Sequence, residues 1–180
     1  MNLYIMRHSI TVWNEKRIIQ GHSNNRLSKN GKELANEVAK KFKDVKFDVV
    51  YCSPLMRTMQ TANIMNQYHN VNVVKNQLLI EIDQGIFTGR RKNSLTEEEK
   101  LLTASRSQQC GMESFKNVYE RCKKFLTFLQ ENNHFKNVLV VTHNACASLL
   151  ECAIENFDVD FTDSNYYLRF KNAEVKKFSL

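Results

Sequence analysis

Four basic side chains in this chain stand where short apolar runs stop. Leu3-Tyr4-Ile5-Met6 ends in Arg7-His8, the run Phe47 to Tyr51 leads through Cys52-Ser53-Pro54 to Arg57, and Val138 to Val141 ends in Thr142-His143. Arginine carries a planar fork of donors that matches phosphate oxygens, and it keeps its charge at any working pH. A neutral imidazole is a nucleophile, and with an ordinary pKa of about 6.5 it is available near neutral pH. Two of each around one point form a cationic cluster suited to a phosphoryl dianion, with His8 attacking phosphorus. Thr11 and Asn14 follow His8 closely and add donors. Leu78 to Gly85 places two carboxylates, Glu81 and Asp83, inside an apolar run; on a strand, residues two apart share a face.

The elements that must position these groups alternate. Leu3–Met6, Phe47–Tyr51, Val71–Val74 and Val138–Val141 read as buried strands. Helices are predicted from Ser28 (as N-cap) through Phe42, from about Leu55 to Tyr68, from Ser114 to Gln130 and from Ala145 to Ile154. Ser53 is a candidate cap for the second of these, with Pro54 in its first turn. The polar segment Arg90–Gln109 holds one short helix around Leu95–Leu102, and Tyr166–Phe170 with Glu174–Phe178 reads as a hairpin. Strand alternating with helix predicts a three-layer α/β/α sandwich around a mostly parallel sheet. In such sheets ligands sit outside the carboxyl ends of the strands, where the basic residues fall. With no linker, repeat or low-complexity tract, residues 1–180 read as one domain.

Composition narrows the function. Of 180 residues, 42% are hydrophobic and 25% charged, with 5 glycines and 1 proline, as in a globular protein rather than a disordered one. No apolar run approaches the ~20 residues of a membrane span, and the N-terminus does not read as a signal peptide. Five cysteines without paired spacing read as reduced thiols, so a cytoplasmic location is expected. The net charge of +7 favours acidic partners. Its lysines, however, are scattered along helices, and helix-turn-helix, zinc and aromatic-basic signatures are missing, which argues against nucleic acid. Histidine and cysteine spacing offers no metal site, and there is no Walker or dinucleotide glycine motif.

Arg7-His8-Ser9-Ile10-Thr11, Trp13-Asn14, Gln20-Gly21, Leu27-Ser28 and Gly31 resemble the opening signature of the histidine phosphatase superfamily, the phosphoglycerate mutase-like proteins. Ser53 to Ala62, Glu81 with Gly85, Glu113-Ser114-Phe115 with Arg121, and Val140-Val141-Thr142-His143 resemble its later blocks, in order along nearly the whole chain. The resemblance implies a phosphoglycerate mutase-like fold, His8 as the nucleophile that forms a phosphohistidine, and Arg7, Arg57 and His143 holding phosphoryl oxygens without metal or other cofactor. It implies Asn14 as a further phosphate donor, Gln20 and Gly21 as substrate contacts, and Glu81, ahead of Asp83, as the group that protonates the leaving oxygen and then activates water. The remaining nitrogen of His8 requires a backbone carbonyl to fix the tautomer.

The chain departs from that pattern at Ser9 and Asn144, where the family usually has glycine close to the phosphate, and at Asn24 and Arg26. The expected function is a phosphomonoesterase for small phosphorylated molecules, with Arg90, Arg91 and Lys92 as candidates for a second anionic group. Gly85–Gly111 is short beside the insertion that shields phosphohistidine in mutases, which favours hydrolysis over mutase-type transfer. A phosphate-sensing or protein-binding module of the same fold is the other alternative. Whether the chain is a monomer or a homodimer is open at this stage.

Overall fold

The computed structural model describes residues 1–131, 134–161 and 170–180. Five strands, β1 (Asn2–Arg7), β2 (Val49–Cys52), β3 (Val73–Lys75), β4 (Asn137–Thr142) and β5 (Val175–Ser179), form one sheet in the order β3-β2-β4-β1-β5. The first four run parallel and β5 lies antiparallel on β1.

The central strands are continuous apolar runs because both of their faces are covered. Leu3, Ile5, Val49, Tyr51, Val138 and Val140 enter a core with α5 (Phe115–Glu131) and α6 (Asn144–Ile154). Their alternates Tyr4, Met6, Val50, Cys52, Leu139 and Val141 enter a second core with α2 (Lys29–Phe42) and α3 (Met56–Asn66). This is the expected three-layer α/β sandwich with a mostly parallel sheet. All five cysteines are buried. No helix among the described residues is long and apolar enough to cross a membrane.

Register brings the chemistry to one level. Arg7 lies opposite Thr142, and Cys52 opposite Val141. The pattern continues just past the strand ends: His8 N donates to Thr142 O at 2.8 Å and Ser53 N to Val141 O at 3.1 Å. The loop after β1 contains the short helix α1 (Val12–Glu15), capped by Thr11 and Asn14, whose side chains reciprocally bond each other's backbone amides. It packs so closely on α2 that a Cβ at Gly31 would lie 1.8 Å from Ile10 O, so only glycine fits there.

Three local expectations change, and a fourth falls partly outside the described residues. β2 begins at Val49, with Phe47 instead packing edge-on against Tyr4. α3 starts at Met56, with Leu55 rather than Ser53 at its N-cap, and its first amide, Met56 N, is met by Asn24 Oδ1 at 2.7 Å. Residues 80–84 form no ladder; a 3₁₀ turn (Gln77–Leu79) leads into irregular backbone. Of the expected hairpin, the second arm is β5, while residues 166–169 fall outside the described residues.

Candidate active site

His8 leaves the end of β1 almost fully buried (2% exposed). Its Nδ1 lies 2.7 Å from Ser9 O. A carbonyl only accepts, so Nδ1 carries the proton and the lone pair is on Nε2. This is the backbone partner that a nucleophilic imidazole requires. Burial, and then the charges of Arg57 and Arg7, hold the His8 pKa well below the ordinary histidine value and the ring neutral.

His143, at the N-cap of α6, is the opposite tautomer. Its Nδ1 accepts from Arg57 Nε at 3.2 Å, so Nε2–H donates to Ser53 Oγ at 2.8 Å. The ring is buried, with its centroid 5.3 Å from that of His8. Burial and the Arg57 charge keep it neutral as well. Ser53 therefore serves His143 rather than capping α3.

Arg57 has no exposed surface. Besides its bond to His143 it donates to Ser23 O (2.7 Å) and Gly21 O (2.8 Å). Three of its five donors are thereby used, leaving two for a ligand. Burial brings its pKa to about 10, so it remains charged at neutral pH. The neighbouring polar residues of α3 anchor this arginine. Thr58 Oγ1 donates to Ser53 O and Leu55 O, Thr61 Oγ1 donates to Arg57 O and accepts from Ser9 N, and Gln60 Oε1 accepts from Leu27 N. Arg7 donates through Nη1 to Phe170 O at 2.7 Å, and its buried Nε has no partner among the described residues.

A cavity of about 250 Å³ opens beside these groups. Arg7, His8, Asn14, Gln20, Gly21, Arg57 and Glu81 all line it; His143 stands behind His8 and Arg57 and does not. Asn14 Oδ1 is taken by Thr11, so its amide donors are what it can offer a ligand. Asn144 and Ala145 add the first turn of α6, whose amides lack intrahelical acceptors and favour an anion. Of the two departures near the phosphate position, Ser9 turns its hydroxyl onto Gly31 O (2.7 Å) and does not line the cavity, whereas Asn144 does.

Glu81 faces the cavity from irregular backbone whose polar groups are satisfied by side chains, as buried backbone requires. Arg121 donates to Leu78 O (2.8 Å), Thr142 to Leu79 O (2.7 Å) and His22 to Glu81 O (2.6 Å). Asp83 N donates to Glu113 Oε2 (3.1 Å), and Glu113 also pairs with Arg121. Asp83 is consumed in this scaffold: its Oδ1 accepts from Gly85 N, and it does not line the cavity. Gly85 has φ +52°, and a Cβ there would sit 1.9 Å from Cys110 O. Of the three basic candidates for a second anion, only Lys92 lines the cavity; Arg90 is held by both oxygens of Glu99 and Arg91 is exposed.

One charged cavity residue escaped the sequence reading. Arg106, nearly buried, donates to Asp83 O, Gln84 Oε1 (2.8 Å) and Glu113 O (2.9 Å) while lining the cavity. Burial lowers its pKa to about 10, against the pull of Glu81. Its sequence surroundings, a polar stretch after a short helix, carry no signal for this role. Among the described residues no three His, Cys, Asp or Glu side chains gather as metal ligands do.

Comparison with known proteins follows the same lines. The family model described as "Histidine phosphatase superfamily (branch 1)" matches residues 3–180. Phosphoserine phosphatase 1 of Hydrogenobacter thermophilus is 30% identical over 165 residues, spanning 88% of this chain and 78% of the relative. A probable phosphoglycerate mutase, GpmB, of Salmonella choleraesuis is 29% identical over 160 residues, 86% of this chain and 74% of the relative. The solved structure of the alpha-ribazole phosphatase from Shigella flexneri superposes with a TM-score of 0.87 at 25% identity, covering 100% of this chain and 91% of that one.

Proposed function

The chain belongs to the histidine phosphatase superfamily, and we propose that it is a phosphomonoesterase for small phosphorylated molecules that works through a phosphohistidine on His8. The observation that carries this reading is the His8 ring. Its Nδ1–H is committed to Ser9 O, which leaves Nε2 as the nucleophilic nitrogen, and the ring lines a cavity that Arg7, Arg57 and the start of α6 also line.

In the first displacement Nε2 forms a bond to phosphorus as the ester oxygen leaves with a proton from the Glu81 carboxyl. In the second, water attacks phosphorus, Glu81 takes its proton, and Nε2 departs, releasing phosphate. Arg7 and the two uncommitted donors of Arg57 hold the equatorial oxygens, with Asn14 and the α6 amides beside them. These side chains supply the positive charge that metal ions supply in many phosphoryl transfers. His143 fixes Arg57 and backs the His8 ring. Gln20, Gly21, Lys92 and Arg106 face the leaving group.

Relatives with mutase and with phosphatase names are both similar to this chain. The short Gly85–Gly111 segment supports hydrolysis, because little chain is available to screen a phosphohistidine from water. Phosphate release from a panel including phosphoserine, α-ribazole phosphate and 3-phosphoglycerate tests the reading. Turnover with phosphate release on at least one ester is expected; phosphoglycerate isomerisation without phosphate release would overturn it.

A further inference from the structure

We infer that Asn172 is a positioning residue for the nucleophile, holding the His8 tautomer through the Ser9 carbonyl. The inference rests on the phosphohistidine reading above. It starts from topology. β5 is the antiparallel strand of the sheet, and Met6 pairs with Val175. The residues just before β5 must therefore lie beside the end of β1, where His8 emerges.

The Asn172 carboxamide lies across that end. Its Nδ2 is 3.1 Å from His8 O, 3.4 Å from Ser9 O and 3.5 Å from Asn14 Oδ1. Two of these neighbours are backbone carbonyls, which only accept, so the amide orientation follows from its surroundings: Nδ2 faces them. Ser9 O then receives two donors, His8 Nδ1–H at 2.7 Å and Asn172 Nδ2. A second donor on this carbonyl holds the Ser9 peptide in place, and through it the plane of the His8 ring and the tautomer whose Nδ1–H meets it. The other tautomer has its proton on Nε2 and cannot attack. The same amide steadies the Asn14 carboxamide, whose free donors belong to the cavity.

Asn172 does not line the cavity, so it acts through its neighbours. Nor is its side chain alone in holding the segment in place. Ala173 N donates to Arg7 O at 3.1 Å, Phe170 O accepts from Arg7, and Lys171 and Glu174 bond each other. A side chain that only anchored this segment would duplicate bonds already made at Phe170, Lys171 and Ala173.

The test compares wild type with Asn172→Ala and Asn172→Ser by ¹⁵N NMR of labelled histidine, alongside steady-state kinetics. Wild-type His8 is expected as the Nδ1–H form and Asn172→Ala as a mixture of tautomers. Its kcat is expected to fall about 10- to 100-fold, as for other partners that orient a histidine, with KM little changed. The serine hydroxyl restores part of both signals. If Asn172→Ala does not fold, the serine variant carries the comparison. An unchanged His8 tautomer in a folded variant overturns the inference, as does wild-type kcat. The NMR reading needs no turnover, so a wild type that hydrolyses nothing would refute the phosphatase reading without deciding this one.

Discussion

The two sides of the cavity are built in different ways. On the cradle side, Arg7, His8 and His143 emerge at the ends of two paired strands, and Arg57 stands in the first turn of a helix that follows a third. Ladder hydrogen bonds continue to the last residue before the chemistry, so these groups inherit the rigidity of the sheet. On the opposite side, residues 78–84 belong to no ladder and hang from Arg121, Thr142, His22, Glu113 and Arg106. The cradle is set by backbone topology and the rim by side chains. Under the proposed mechanism the difference suits a division of labour: the phosphoryl group is constant, while the leaving group, which the rim would meet, varies from substrate to substrate.

The strongest challenge to this comparison comes from the rim's two carboxylates. Glu81→Gln is expected to lower kcat by about 10²–10⁴-fold, the usual worth of a positioned acid or base. Asp83→Asn, which alters only the scaffold, is expected to lose far less activity and to show its effect mainly in thermal stability. Steady-state rates and melting curves of the pair check this. Equal losses in kcat would mean that the rim does not separate chemistry from support.

A smaller effect sharpens the cradle side. His8 and His143 are buried and held neutral, with pKa values below the ordinary value that the unfolded chain restores. The unfolded state therefore binds more protons below pH ~6.5. Their contribution to stability is complete above that pH and is lost as the pH falls toward the folded-state values, at up to about 1.4 kcal/mol per pH unit for each ring. Denaturant titrations between pH 7.5 and 5.5 measure the slope. His143→Gln should flatten it, and a wild-type stability that does not change over this range would contradict the neutral, buried pair.

The same contrast explains what was legible in the sequence. Apolar runs ending in Arg7-His8 and Thr142-His143 announce both the strands and the groups that they aim, because strand ends in a doubly wound sheet converge. The block from Ser53 to Ala62 was readable as a motif, although Ser53 proved to serve His143 and the cap of α3 came from Asn24, a contact across the chain that local pattern does not encode. The rim was less readable. Glu81 and Asp83 look equivalent two residues apart, and only irregular backbone sends one to the cavity and the other into the scaffold. Arg106 and Asn172 act through long-range bonds to carbonyls, and a carbonyl leaves no mark in a sequence. Ser9, a departure beside the nucleophile, is accommodated because its hydroxyl turns to Gly31 O, a fate that its residue type does not reveal.

The most direct measurement is a rapid quench of the protein with a phosphomonoester labelled at phosphorus, comparing wild type with His8→Ala. Wild type should carry a base-stable, acid-labile label that appears and decays within the turnover, and His8→Ala should carry none. Phosphate release with no labelled protein at any quench time, or an equal label on His8→Ala, would contradict His8 as the nucleophile.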